Sequence, residues 1–202
     1  MGAPFEVIAG PIEAWVAPLL TAFPDMDDAD PAVDWIWLGE NGAKNIAESG
    51  VSIHDAATSN DWRALGTTMA VKNFLVSEDL RVEFDLDDVR LEMWSIARGG
   101  PATTASNVTT VAAGVGTMGH KDLSLVRDLD SINTVALLLR QKQSAYGEGA
   151  FKMTQYEFPK AVCPGDGVDL VYVKGTPVAV HFNFHILYDP NIIVRVGDAA
   201  AT

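Results

Sequence analysis

Cysteine is almost absent from this 202-residue chain. Cys163 stands alone, so no intrachain disulfide can staple the fold, and the thiol content lends no support to an oxidising compartment. Basic side chains are scarce as well. Fourteen Lys and Arg face 27 Asp and Glu for a formal net charge of −13, which excludes proteins that hold nucleic acid by neutralising its phosphates. The imbalance is greatest at the start. Positions 1–43 carry eight acids (Glu6, Glu13, Asp25, Asp27, Asp28, Asp30, Asp34 and Glu40) and no Lys or Arg. Long apolar runs are missing too: the longest uncharged stretch, from Gly99 to Gly119, is mostly Gly, Ala, Thr and Ser, too polar to span a bilayer. No basic start precedes an apolar run, as a secretory leader requires. These absences predict a soluble chain without a membrane segment. Its 48% hydrophobic content suffices for one domain with a substantial core.

Catalytic and ligand-binding signatures are equally thin. Gly114 to Gly119 reads GVGTMG and matches the dinucleotide spacing, but no helix pattern follows and no acid stands about 20 residues on, so a Gly-rich turn between strands is the better reading. His181 and His185 share a strand face at an offset of four, about 13 Å apart, too far to share one metal. His54 and His120 have no ligand partners nearby in sequence. Cys163 lies in AVCPGDG, outside any nucleophile signature, and no serine sits in a G-x-S-x-G elbow. The acidic run from Asp25 to Asp30 reads as a solvated loop; as a cation loop it lacks the turn glycine and the closing glutamate. The chain is therefore expected to be no enzyme and to need no cofactor or metal.

What is present is strand pattern. Leu80, Val82, Phe84 and Leu86 alternate with Arg81, Glu83 and Asp85, so one face is apolar and the other ionic. A helix is predicted directly afterwards, over Val89 to Ala97, with Met93 and Ile96 facing the core and Glu92 outward. Asp87 or Asp88 is placed to cap its start, and Arg98 and Gly99 to end it. Further strands are predicted over Ile12–Ala17, Asp34–Leu38, Gly50–His54, Asn107–Ala113, Phe151–Phe158 and Val178–Tyr188. Ile132–Leu139 is apolar almost throughout, as a strand buried on both faces would be. Short strands at this spacing with one helix predict a mainly β fold, a β-sandwich or barrel with one flanking helix.

The stretch from Asp55 to Asn73 fits neither period, and is expected to be a long extended loop. Trp62, Leu65 and Met69 in it are more than a solvated loop needs.

Read in order, WIWLGENG from Trp35 and GVSIHDAATSNDWRALGTTMAVKNFLVSEDLRVEFDLDDVRLEMWSIA from Gly50 resemble the major tail tube proteins of long-tailed bacteriophages. The shared features are a Trp-containing strand ending in Leu-Gly, a polar strand, a long loop with a glycine near its tip, and an alternating strand leading into a helix. The resemblance is clearest over residues 10–100 and weaker over 130–188. It implies a single domain over 1–202 that closes into hexameric rings, stacked into a tube that conducts the genome. It assigns the 55–73 loop, with Trp62, Arg63, Leu65, Gly66 and Met69, to contact between rings, and Leu80, Val82, Phe84, Leu86, Met93 and Ile96 to the subunit's strand–helix core. The implied partners are further copies of the chain and tape measure, tail terminator and distal tail proteins, with DNA passing through the lumen unbound. The implied place is the virion tail, assembled in the host cytoplasm. Type VI secretion tube proteins and distal tail proteins share such a fold. A soluble β-sandwich module or enzyme is the alternative of a different class.

Overall fold

The computed structural model describes residues 12–28, 30–31, 34–39, 46–87, 89–102, 108–125, 132–143, 153–164, 170, 172, 174–175 and 177–197. The chain is mainly β. Its strands are β1 (Ile12–Pro18), β2 (Ile36–Trp37), β3 (Ile46–Trp62), β4 (Lys72–Leu86), β5 (Val108–Val111), β6 (His120–Leu123), β7 (Thr134–Gln141), β8 (Thr154–Val162), β9 (Val180–Ile186) and β10 (Ile193–Val196); the one helix described, α1, is Leu91–Ala97.

Eight strands form one antiparallel sheet in the order β2-β1-β7-β8-β9-β4-β3, with β10 also paired to β8. Strand β8 divides the sheet. Along one edge it pairs with β7; along the other it pairs with β10 at Thr154–Glu157 and with β9 only at Ala161 and Val162. Strand β9 then leaves β8 and runs beside β4, pairing Arg81–Leu86 with His185–Val180. The inward residues of both halves belong to one buried cluster. It unites Val16, Leu137, Leu139 and Phe158 with Val82, Phe84, Leu86, Phe182 and Phe184, and with Met93 and Ile96 of the helix. Phe84, Phe182 and Phe184 stack at 5.1–6.2 Å between ring centres, an arrangement worth more than area burial alone.

Alternation in β4 follows from burial on one side: Val82, Phe84 and Leu86 are buried, and Leu80 is partly buried at the margin of the same cluster. Strands β1 and β7 are covered on both sides. Trp15, Ala17, Ala136 and Leu138 face a second cluster closed by Trp35 and Phe23, which is why β7 reads as an unbroken apolar run.

The helix begins later than its sequence suggests. Arg90 holds the N-cap position without a side-chain cap bond; Asp87 lies outside the helix, and position 88 lies outside the described residues. Val89 precedes the helix and is 44% exposed; Arg90 after it is still extended, at φ −60° and ψ 143°. The end is a Schellman turn: Gly99 N–H donates to the Ile96 carbonyl at 2.9 Å and Gly100 N–H to Ser95 at 2.8 Å, with Gly99 at φ 83°. Glu92 is not a bystander on the outer face. It binds Lys121 of β6 at 2.5 Å, tying the β5–β6 hairpin to the helix. GVGTMG closes that hairpin, with Gly114 and Thr117 exchanging N–H and C=O bonds at 3.2 Å.

The acidic segment is anchored by its backbone. Buried Arg140 donates to the carbonyls of Asp25 at 2.6 Å and Asp28 at 3.0 Å and to Gln155 Oε1 at 2.7 Å. Gln155 in turn donates to the Pro24 carbonyl and to Glu157, which Arg195 also binds. Burial pushes the Arg140 guanidinium below its ordinary pKa, against the pull of surrounding carboxylates, Asp28 foremost. A protein cation thus sits under this loop.

Candidate assembly surface

The span from Asp55 to Asn73 is a β-hairpin, not a loop. Strand β3 runs on to Trp62 and β4 begins at Lys72, paired from Asp55↔Leu80 to Trp62↔Lys72 with one extra residue, Val76, on β4. Strand β9 flanks β4 only at Arg81–Leu86, so among the described residues the ribbon beyond Asp55 and Leu80 has no third strand. Eight residues of extended chain carry it roughly 27 Å from the sheet. The sequence hid it because neither face is buried. No core selects a period of two, and ATSN contributes little apolar character to either side.

The tip is a tight turn. Thr67 N–H donates to the Ala64 carbonyl at 3.1 Å, the Thr67 hydroxyl to the same oxygen at 2.8 Å, and Val71 N–H to Trp62 at 2.9 Å. Gly66 sits at φ 88°, the left-handed value a type II turn needs at its third residue, with open space around it. Arg63 donates to the Thr68 carbonyl.

The ribbon is exposed along both strands and carries large apolar side chains. Exposure is 52% for Trp62, 107% for Leu65, 80% for Met69 and 48% for Phe74; Val71, Leu75 and Val76 are each more than half exposed. Register sets Trp62, Lys72, Asn60 and Phe74 on one face, and Leu75 on the other with Asp61, Asn73 and Ser59. Lys72 Nζ lies 5.0 Å from the Phe74 ring centre, and Asn73 donates to Asp61 and Ser59 across the strands. These side chains present roughly 800 Å² of accessible area, reckoned from the size of large side chains. That area is divided between the two faces and the tip of the ribbon.

The body offers a second feature, the outer face of β3, β4 and β9. It is wholly polar. The register sets His54, Arg81 and His185 in one row, Ser52, Glu83 and Asn183 in the next, and Asp85 beside His181. Arg81 binds Asp79 through two nitrogens, at 3.0 and 2.6 Å; that bond holds the Asp79 carboxyl below its usual range and raises Arg81. His181 Nδ1 lies 2.8 Å from Asp85, and His54 Nε2 3.7 Å from Glu83. Sequence spacing placed His181 and His185 on one face but missed His54, which cross-strand pairing alone brings alongside. No group of three or more metal-ligating side chains forms among the described residues. No helix among them is long and apolar enough to cross a membrane. Compared with models of known protein families and with curated protein sequences, the chain matches none.

Proposed function

We propose that this protein is a tube subunit whose copies close into rings and stack, the major tail tube of a long-tailed bacteriophage being the assembly it fits. The observation that carries this reading is the arm, a ribbon that projects from the body with apolar side chains on both faces and its tip. Exposed apolar side chains in such number mark a surface that another molecule covers. Three further features agree. The sheet is open, with β2 and β3 at its edges among the described residues, and edge-to-edge closure of copies would satisfy them. One face of β3, β4 and β9 is polar where the other is core, as a strand lining a water-filled bore requires. A net charge of −13 repels phosphate, so DNA would pass through such a bore without sticking.

On this reading the two halves of the bent sheet form a β-sandwich flanked by α1, the chain is one domain, and the arm is the contact between rings. Hexameric rings, tape measure, terminator and distal tail proteins as neighbours, and a virion location follow from the family resemblance. The test is electron microscopy of the purified protein at increasing concentration. Rings or filaments are expected. A monodisperse monomer at high concentration with a ligand-binding cavity would replace this reading with that of a soluble β-sandwich module. Assembled material is also expected to show no affinity for duplex DNA at moderate salt; tight binding with a steep salt slope contradicts the conduit.

A further inference from the structure

Strand register gives the body two distinct ends. Strand β8 runs from Thr154, beside Gln141 and Val196, to Val162, beside Thr134 and His185. The arm continues β4 past Arg81 toward the Thr154 end. At the opposite end β1 leaves the sheet at Pro18, paired with Val135. The chain turns there on Leu19 and Leu20, closed by Thr21 N–H to the Pro18 carbonyl at 3.2 Å. Leu20 stands at φ 72°, the one described non-glycine residue in the left-handed region, with its side chain 89% exposed. Backbone strain there is accompanied by almost no burial of Leu20 within the subunit. Leu19 is 42% exposed, and Ile132, just before β7 at the same end, is 50% exposed. Asp34, which precedes β2 on that side, is exposed too, within a stretch of 43 residues that has no base.

We propose that the arm's tip docks on this end of a second copy, Leu65 and Met69 covering Leu19, Leu20 and Ile132, with Arg63 facing Asp34. The assignment rests on self-association through the arm, as proposed above, and adds the surface that receives it. Head-to-tail contact requires two different complementary surfaces on one chain, and repeated without closure it yields a filament. Here the tip and the turn are two different surfaces of one chain, both apolar, with a basic side chain at the tip and an acid at the receiving end.

Leu20→Gly separates fold from contact. Glycine adopts the left-handed conformation without steric cost, so the variant is expected to melt at or above the wild-type midpoint. Its self-association, measured by sedimentation, should weaken at least about tenfold through loss of one buried leucine. Leu65→Ser should weaken association similarly, and the double variant should lose no more than the larger single loss, because both changes remove one contact. Oxidising a mixture of Leu20→Cys and Leu65→Cys proteins should give a mixed disulfide-linked pair. If Leu20→Gly associates like wild type while Leu65→Ser does not, or if the mixed pair fails to form, the receiving surface is wrong and the arm's role stands. If the wild type does not self-associate, the arm's role fails as well.

Discussion

Trimming the arm back to the register pair Ser59↔Leu75 separates its part in assembly from the subunit's own stability. Residues 60–74 would be replaced by Asn-Gly, which favours the two-residue hairpin turn. The excised side chains are exposed, Ala64 alone being partly buried, and belong to neither buried cluster. The body should therefore lose less than about 1 kcal/mol, as substitutions away from buried features usually do. The effect on association is far larger. Trp62, Leu65, Met69, Val71 and Phe74 leave with the segment, and they present roughly 600 Å² of accessible side chain, reckoned from typical large residues. Covering that area is worth on the order of 15 kcal/mol at about 25 cal/mol/Å², before the costs of association and ordering are deducted. Retaining even a third of that figure after those costs spans more than three orders of magnitude in affinity. Thermal melts should show the truncated subunit folded. Light scattering and electron microscopy should show isolated subunits or rings and no long tubes. Normal elongation would remove the arm from assembly, and a molten subunit would mean that the ribbon supports its own sheet.

Met93→Asp sets a carboxylate in the buried cluster between helix and sheet, where Met93 is 3% exposed; a loss of 3 kcal/mol or more, roughly, is expected in urea melts. Arg140→Met leaves Gln155 and the carbonyls of Asp25 and Asp28 without their guanidinium donor. A cost of about 3–5 kcal/mol is expected from such a broken buried network, with faster proteolysis between residues 22 and 30. Lys121→Ala should cost about 0.5–1 kcal/mol at pH 7, the worth of a half-exposed pair. The pH dependence of that loss has a definite sign. The bond from Lys121 holds the Glu92 carboxyl below its ordinary value near 4.5. The pair's contribution is therefore full above that value and lost as pH falls through the lower folded one. Wild type and variant should converge in stability at strongly acidic pH; a difference that persists there would mean that Lys121 acts by packing.

The sequence by itself determined what a single buried face or an intrinsic backbone preference imposes. Alternation from Leu80 to Leu86 is legible because one side meets the core, and the apolar run of β7 because both sides do. The helix end is legible at Gly99, where positive φ in a Schellman turn favours glycine. Along residues 55–62 and 72–79 no side faces a core, so nothing local distinguishes a ribbon from a loop, and the pairing of the two strands is what makes them strands. The helix start failed for a related reason: local capping residues favoured Asp87 or Asp88, but Arg90, itself extended, holds the N-cap position. Which groups stand together is a property of register between distant segments. His54 reaches the row of Arg81 and His185 across three strands, and Arg140 meets carbonyls more than 110 positions away. Composition could state that the start of the chain is acidic. Only the tertiary structure decided that its backbone rests on a buried guanidinium and that residues 55–79 form an exposed ribbon, because both depend on which strands pair and in what order.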